Sequence, residues 1–182
     1  VLELGANLFE GCGSLVSVSL PSSLKVIGDA ACKWCRSLKE ISIPASVKYV
    51  YQNTFEGCSS LRVYENVRYA GKWAVGVTDK NKYTYTLSED TVGLASTFCQ
   101  CAYLTDIILP SGLQYICDAS FKECTNLTEI LIPESVSCIG NMAFEKCCYL
   151  SNVTIPHSIT SIGDSAFAGC SNLLEVEIPV SV

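Results

Sequence analysis

The sequence predicts a repeat solenoid, because proline and phenylalanine recur in a single register and a strand-like segment precedes each proline. The steps between the six prolines are 23, 66, 23, 23 and 23 residues. A cysteine also recurs once per unit, at Cys12, Cys35, Cys58, Cys101, Cys124, Cys147 and Cys170. Residues 1–182 are therefore predicted to be one domain of about seven 23-residue units, and we expect them to be a fragment of a longer chain.

Each unit contains the segment Leu-x-x-Ile-x-Ile, which predicts a short strand. Apolar residues alternate, many are β-branched, and proline follows at once. Such a strand cannot bury its apolar face alone, so equivalent strands are expected to stack in parallel about 4.8 Å apart. The clearest examples are residues 38–43, 104–109, 127–132, 150–155 and 173–178.

The second half of each unit must return the chain to the next strand. Gly28, Gly140 and Gly163 fit a tight turn. The segments 118–121, 141–144 and 164–167 begin with Asp or Asn, as capped helical turns do. The length allows one helical or 3-10 turn, and the phenylalanines should stack in a column on the convex side.

The motif Leu-x-x-Ile-x-Ile-Pro-x-Ser-Val-x-x-Ile-Gly-x-x-Ala-Phe-x-x-Cys resembles the BspA-like, treponemal class of leucine-rich repeats, over nearly the whole chain. The resemblance implies a curved, right-handed superhelix with short parallel strands on the concave face and turns and short helical or 3-10 turns on the convex side. It also implies a surface protein of bacteria or protists that serves adhesion, and hence a cell-surface or extracellular location. Serines match the position of the asparagine ladder of other leucine-rich repeats, at Ser23, Ser46, Ser135, Ser158 and Ser181.

One unit is interrupted by an insertion at about residues 67–87. Trp73–Val77 and Tyr83–Leu87 alternate like strands, and residues 78–82 lie between them, which predicts a β-hairpin with a five-residue loop. The insertion could carry function, with Trp73, Tyr83 and Tyr85 as candidate contact residues, or it could be a structural brace.

Composition and motifs argue against several functions. The formal net charge of −6 disfavours nucleic acid and anionic membrane surfaces. No apolar run reaches the roughly 18 residues of a membrane helix, and the first residues do not resemble a signal peptide. There is no Gly-rich phosphate loop and no Gly-x-Ser-x-Gly motif, and His157 is expected to be an exposed loop residue. We therefore expect a non-enzymatic protein without a cofactor.

The cysteines allow three interpretations. The repeat column is expected to hold small packed thiols, since free cysteine is often buried. Five cysteines lie outside the column, at Cys32, Cys99, Cys117, Cys138 and Cys148. A disulfide between Cys117 and Cys138 is conceivable. Metal binding is suggested by Cys99 with Cys101 and by Cys147 with Cys148, but a second ligand pair is lacking.

The predicted concave surface is the candidate binding site. Its exposed strand positions are rich in acidic residues and place Ile108 beside Leu131. The candidate residues are Glu40, Asp106, Ile108, Glu129, Leu131, Asn152, Glu175 and Glu177. Polar and acidic residues on such a surface can also serve solubility alone.

The leading hypothesis is an interaction or adhesion scaffold that binds a protein or glycan on the concave face or at the insertion. One alternative is a structural spacer that presents another domain. The other is a metal- or thiol-dependent protein that uses the extra cysteines.

Overall fold

Each 23-residue unit makes one turn of a β-solenoid, and the chain makes about seven turns. The structure is a computed structural model that describes residues 2–182. This confirms the predicted repeat solenoid. The described residues form short strands and turns and contain no helix.

Residues 2–182 form fourteen strands, each of two to five residues. They are β1 (Glu3–Leu4), β2 (Ser17–Ser19), β3 (Val26–Ile27), β4 (Glu40–Ser42), β5 (Tyr49–Val50), β6 (Arg62–Tyr64), β7 (Val67–Ala70), β8 (Trp73–Val77), β9 (Gly93–Leu94), β10 (Tyr115–Ile116), β11 (Glu129–Leu131), β12 (Cys138–Ile139), β13 (Asn152–Thr154) and β14 (Ser161–Ile162).

The predicted strand segments form the concave face. There β2 pairs in parallel with β4, and β11 pairs in parallel with β13. Residues 104–109 and 173–178 have no regular strand, although they occupy the equivalent place in their turns. A second short strand lies in the return segment of each unit, and it follows the proline wherever the unit has one. These strands were not predicted. These strands form the parallel stacks β1-β3-β5 and β9-β10-β12-β14.

The segments around the phenylalanines are not helical turns, contrary to the sequence-based expectation. Ala119 and Glu123, two residues on either side of Phe121, have φ angles of 53° and 60°. Such left-handed residues cannot continue a right-handed helical turn. The segment instead bonds to the next turn, with the Phe121 N–H donating to the Ala143 carbonyl at 2.7 Å. We call these segments spine segments; they are 7–11, 30–34, 53–57, 96–100, 119–123, 142–146 and 165–169.

The repeated glycines permit a close approach between neighbouring turns. A Cβ atom built on Gly140 would lie 2.5 Å from the backbone nitrogen of Asp118, and one on Gly163 would lie 2.5 Å from that of Asn141. The absence of a side chain therefore sets the spacing of the turns at this position. The serine ladder is also present, since Ser135 and Ser158 donate to the carbonyls of Leu113 and Val136 in the preceding turns, at 2.6 and 2.7 Å.

The insertion has a different strand pairing from the predicted hairpin. The structure pairs β8 with β7 and β7 with β6, both antiparallel, so the pairing of residues 73–77 with 83–87 is wrong. The reason lies in Glu65 and Asn66, whose φ angles of 46° and 68° are those of a tight hairpin turn. That turn reverses the chain directly after β6. Residues 83–87 instead form the concave part of the next turn, where Thr105 N–H donates to the Tyr83 carbonyl at 3.0 Å.

The inserted strands separate two hydrophobic clusters of the solenoid core. Trp73 and Val75 pack into the cluster that contains β3 and β5, while Ala74 packs into the cluster that contains β10 and β12. Strand β8 is buried on both faces and therefore lies between the two clusters. In the second cluster Phe98, Phe121, Phe144 and Phe167 stack with centroids 5.2–5.3 Å apart, as predicted for the phenylalanine column.

Candidate partner-binding surface

Two large apolar side chains lie next to each other on the concave face. Ile108 and Leu131 are 82% and 78% exposed. Together with Ser111 and residues 133–135, which follow them in the sequence, they line a groove of about 590 Å³. We call this feature the Ile108–Leu131 groove. Its volume lies in the range of roughly 300–1,000 Å³ typical of ligand sites.

The exposure of these two residues follows from the alternation of side chains, which residues 104–109 keep although they form no regular strand. Successive side chains of a strand point to opposite faces. Ile107 and Ile130 point into the core and are 5% exposed, so the residues that follow them point outward. The turns are stacked here. Strand β11 pairs in parallel with β13, and Leu131 lies opposite Thr154. The apolar surface therefore ends at a polar residue on that side.

Acidic side chains flank the groove. Asp106 and Glu129 are exposed and lie two positions before Ile108 and Leu131, and Glu134, which follows Leu131 in the chain, also lines the groove. No lysine or arginine lines the groove among the described residues. The groove therefore combines an apolar floor with a negative rim.

The other predicted concave residues are exposed but do not all join this groove. Asn152 lies in β13, in register with Glu129. Glu175 and Glu177 lie on the following turn. Glu40 lies in β4, whose sheet contains only β2 and β4 and lies before the insertion. Glu40 is thus separated from the groove by the inserted strands.

Of the three insertion residues, only Tyr83 offers surface to a partner. Trp73 is 1% exposed and stacks on Tyr115 at 5.6 Å, and Tyr85 is 6% exposed and packs on Phe98. Tyr83 is 63% exposed and contacts Tyr103 edge to face, with ring centroids 6.1 Å apart. The burial of Trp73 and Tyr85 supports the structural-brace interpretation of the insertion.

Five of the seven repeat cysteines form a ladder of thiol hydrogen bonds between neighbouring turns. The Cys124 and Cys147 thiols donate to the carbonyls of Phe98 and Phe121 in the preceding turn, both at 3.1 Å. Burial raises the pKa of the Cys58 thiol to about 12, which keeps it protonated and able to donate. All twelve cysteines are free thiols, so Cys117 and Cys138 are not bridged. Within residues 2–182 no group of three or more His, Cys, Asp or Glu side chains is arranged to hold a metal ion.

A polar pair that was not predicted from the sequence links two turns on either side of the insertion. The Tyr49 hydroxyl donates to Oδ1 of Asp118, which also accepts from the Asn141 N–H at 2.7 Å. Burial raises the pKa of the Asp118 carboxyl and also that of Tyr49. Tyr49 and Asp118 are 69 positions apart in the chain, and no sequence motif links them. His157, by contrast, is exposed, as predicted.

Comparison with known families and structures agrees with the repeat architecture. The family described as BspA type leucine rich repeat region matches residues 1–85 and 94–182, in six copies. A search of curated proteins finds no match. Among the described residues no helix is long and apolar enough to cross a membrane.

Solved structures with a similar fold include three bacterial proteins. The pneumococcal vaccine antigen PcpA is 22% identical, with a TM-score of 0.61, and the match covers 93% of this chain and 52% of that protein. A leucine rich cell surface protein from Faecalibacterium prausnitzii is 21% identical, with a TM-score of 0.52, and the match covers 95% of this chain and 62% of that protein. A leucine rich repeat protein from T. pallidum is 26% identical, with a TM-score of 0.47, and the match covers 96% of this chain and 72% of that protein. At 22% and 21% identity, the similarity to PcpA and to the F. prausnitzii protein is a similarity of fold.

Proposed function

Since the chain belongs to the BspA-type leucine-rich-repeat family, we propose that it is a non-enzymatic interaction scaffold that binds a partner protein in the Ile108–Leu131 groove. Solenoids present extended surfaces to which partners bind. The scaffold role is the part that the family supports most directly. The cell-surface location and the role in adhesion are also part of the proposal. The location is supported by the similarity to the cell surface protein of F. prausnitzii.

The observation that carries the proposal is the joint exposure of Ile108 and Leu131, at 82% and 78%. Polar residues at these positions would serve solubility equally well, and the equivalent positions in neighbouring turns are polar at Thr86 and Thr154. Covering the two side chains would contribute up to about 1.5–3 kcal/mol each. This pair is therefore the natural anchor of an interface.

The chemistry of the groove specifies a partner. An apolar side chain would occupy the floor, and lysine or arginine residues on either side would face Asp106, Glu129 and Glu134. Opposite charges around an apolar centre increase both the association rate and the specificity. A basic protein segment with a central apolar residue fits this surface better than a glycan, because the floor offers no hydrogen-bonding side chain.

The proposal is tested by selecting a phage-displayed library of random peptides on the purified chain. We expect the selected peptides to combine an apolar residue with lysine or arginine. The double variant Ile108→Ser/Leu131→Ser should lose binding on the order of 100-fold, because both apolar contacts are removed. Leu8→Ser is the matched control, since Leu8 is also exposed, at 54%, but lies on a spine segment.

Two outcomes would contradict the proposal. If the selected peptides bound the wild type and the double variant equally, another surface would be responsible. If no peptide were selected while the folded chain was intact, the structural-spacer alternative would be favoured. Thermal unfolding of both variants serves as the folding control, because substitutions of exposed residues usually change stability by less than about 0.5 kcal/mol.

A further inference from the structure

The hydrogen-bond ladder that joins the spine segments is interrupted at one junction. Elsewhere the residue at the phenylalanine position donates its N–H to the next turn, as Cys32 does to Thr54 and Phe144 does to Ala166, at 3.0 and 2.7 Å. The residues two positions before and after it donate in the same way at most junctions. Between segments 53–57 and 96–100 no such bond is formed. The insertion thus separates the two segments.

The interruption leaves complementary backbone groups on both sides of a cleft. By equivalence with the other segments, the N–H groups of Asn53, Phe55 and Gly57 face the place where the next segment would lie, and none of them donates a backbone bond. On the opposite side, the carbonyls at the acceptor positions are those of Ala95, Thr97 and Cys99. No donor within residues 2–182 bonds to these three carbonyls.

The cleft has the size of a ligand site and a positive rim. Its volume is about 420 Å³, and residues 75–77 of β8 form part of its lining. Arg68, Lys80 and Lys122 line it. Lys122 is paired with Glu145 at 2.7 Å, so Arg68 and Lys80 carry the positive charge of the rim. Glu56 is the single acidic residue of the lining among those described. Glu56 is paired with Lys33 at 2.9 Å. A positive rim stands out on a chain with a net charge of −6.

We propose that this cleft binds a peptide segment of a partner protein that carries an acidic side chain. The peptide takes the place of the absent spine segment. Its carbonyls accept from the N–H groups of Asn53, Phe55 and Gly57, and its N–H groups donate to the carbonyls of Ala95, Thr97 and Cys99. Pairing of a bound peptide with unpaired backbone groups of the protein is a general mode of peptide recognition. The acidic side chain pairs with Lys80, whose Nζ donates a hydrogen bond to Gln100 Oε1 at 3.4 Å.

This site is independent of the concave groove. It lies on the spine, uses backbone groups rather than exposed apolar side chains, and favours an acidic rather than a basic partner. The two proposals can therefore fail separately, and each is tested with a variant that leaves the other surface unchanged.

The probe is an acetylated and amidated peptide that copies residues 118–123, Asp-Ala-Ser-Phe-Lys-Glu, which is the chain's own spine segment with one residue before it. In the cleft its Ala, Phe and Glu N–H groups would be the donors, and its Asp, Ser and Lys carbonyls the acceptors. The matched control is the same peptide with an N-methyl group on Phe, which removes one donor. Binding is measured by NMR titration of the whole chain, together with amide hydrogen exchange.

We expect the amides of Asn53, Phe55 and Gly57 to exchange faster than those of Ala119, Phe121 and Glu123 in the free chain, and to slow when the peptide binds. N-methylation should weaken binding by roughly tenfold. Lys80→Glu should weaken it by roughly threefold, whereas Lys48→Glu, at an exposed position outside the cleft, should not. The proposal is overturned if the N-methylated peptide binds equally well, if the peptide shifts no resonance of the cleft, or if the three amides are already as protected as Phe121 without it.

Discussion

The Sγ atom of Cys124 lies 3.1 Å from the carbonyl oxygen of Phe98 and donates a hydrogen bond to it. The same carbonyl accepts from the Cys101 N–H within its own turn, at 2.9 Å. The thiol therefore adds a bond between neighbouring turns. Equivalent bonds join Cys35 to Phe9, Cys58 to Cys32, Cys147 to Phe121 and Cys170 to Phe144.

Replacing one thiol of this ladder should destabilise the solenoid. Cys124→Ala removes a fully buried sulfur and its hydrogen bond, and we expect the free energy of unfolding to fall by about 1–2 kcal/mol. Urea unfolding monitored by circular dichroism measures the change. Cys148→Ala is the control, because the half-buried Cys148 thiol donates within its own turn, to the Lys146 carbonyl at 3.3 Å, and not between turns. Equal effects of the two substitutions would show that the ladder bond contributes nothing.

Thiol reactivity should separate the exposed cysteine from the buried column. Cys12 is exposed, whereas burial raises the pKa of Cys32 to about 12 and leaves almost no thiolate at pH 8. With a disulfide reagent at pH 8 we expect Cys12 to react first, and Cys32, Cys35, Cys58, Cys124 and Cys147 only after unfolding. Denaturation without reductant should then expose all twelve thiols. A smaller number would reveal disulfides and contradict the structure.

The buried Asp118 carboxyl should make stability depend on pH. Its pKa is raised in the folded state, so its stabilising contribution is complete below the unfolded pKa of about 4 and is lost as the pH rises through the folded value. Asp118→Asn keeps an oxygen acceptor for Tyr49 and cannot ionise. We therefore expect this variant to gain stability relative to the wild type as the pH rises from 4 to 7.

Chemical unfolding of both proteins at several pH values measures this difference. Asp164→Asn is the matched substitution, because Asp164 occupies the equivalent position of a later unit on the exposed surface. A difference between wild type and Asp118→Asn that stays constant from pH 4 to 7 would show that the carboxyl does not titrate as inferred.

Loss of one ring from the phenylalanine column should be costly. Phe121 is fully buried between Phe98 and Phe144, with ring centroids 5.3 and 5.2 Å away. Phe121→Ala should lower the free energy of unfolding by about 3–5 kcal/mol, since it leaves a cavity between two stacked rings. Phe9→Ala, at a half-buried position near the first turn, should cost less. Comparable losses would argue against a cooperative column.

Much of the concave face could be predicted from local alternation. Along the segment that contains Ile107 and Ile108, successive side chains point to opposite faces. If one is buried, the next is therefore exposed, and this holds for the equivalent segment of every turn. The repeat length places equivalent residues of successive turns side by side. The sequence therefore predicts that Ile108 lies next to Leu131. The spine turns were predicted wrongly, because Asp118 suggested a helix cap while Ala119 adopts a left-handed conformation that its side chain does not signal.

The sequence by itself determined the period, the apolar positions of the core and the exposed positions of the concave face, because these depend on spacing within one unit. Only the tertiary structure decided which strand pairs with β7, that Tyr49 reaches Asp118, and where the spine ladder is interrupted. These features arise where the insertion breaks the repeat. There the contacts join residues of different units, and the strand pairing depends on a turn at Glu65 and Asn66 that lacks a glycine signal.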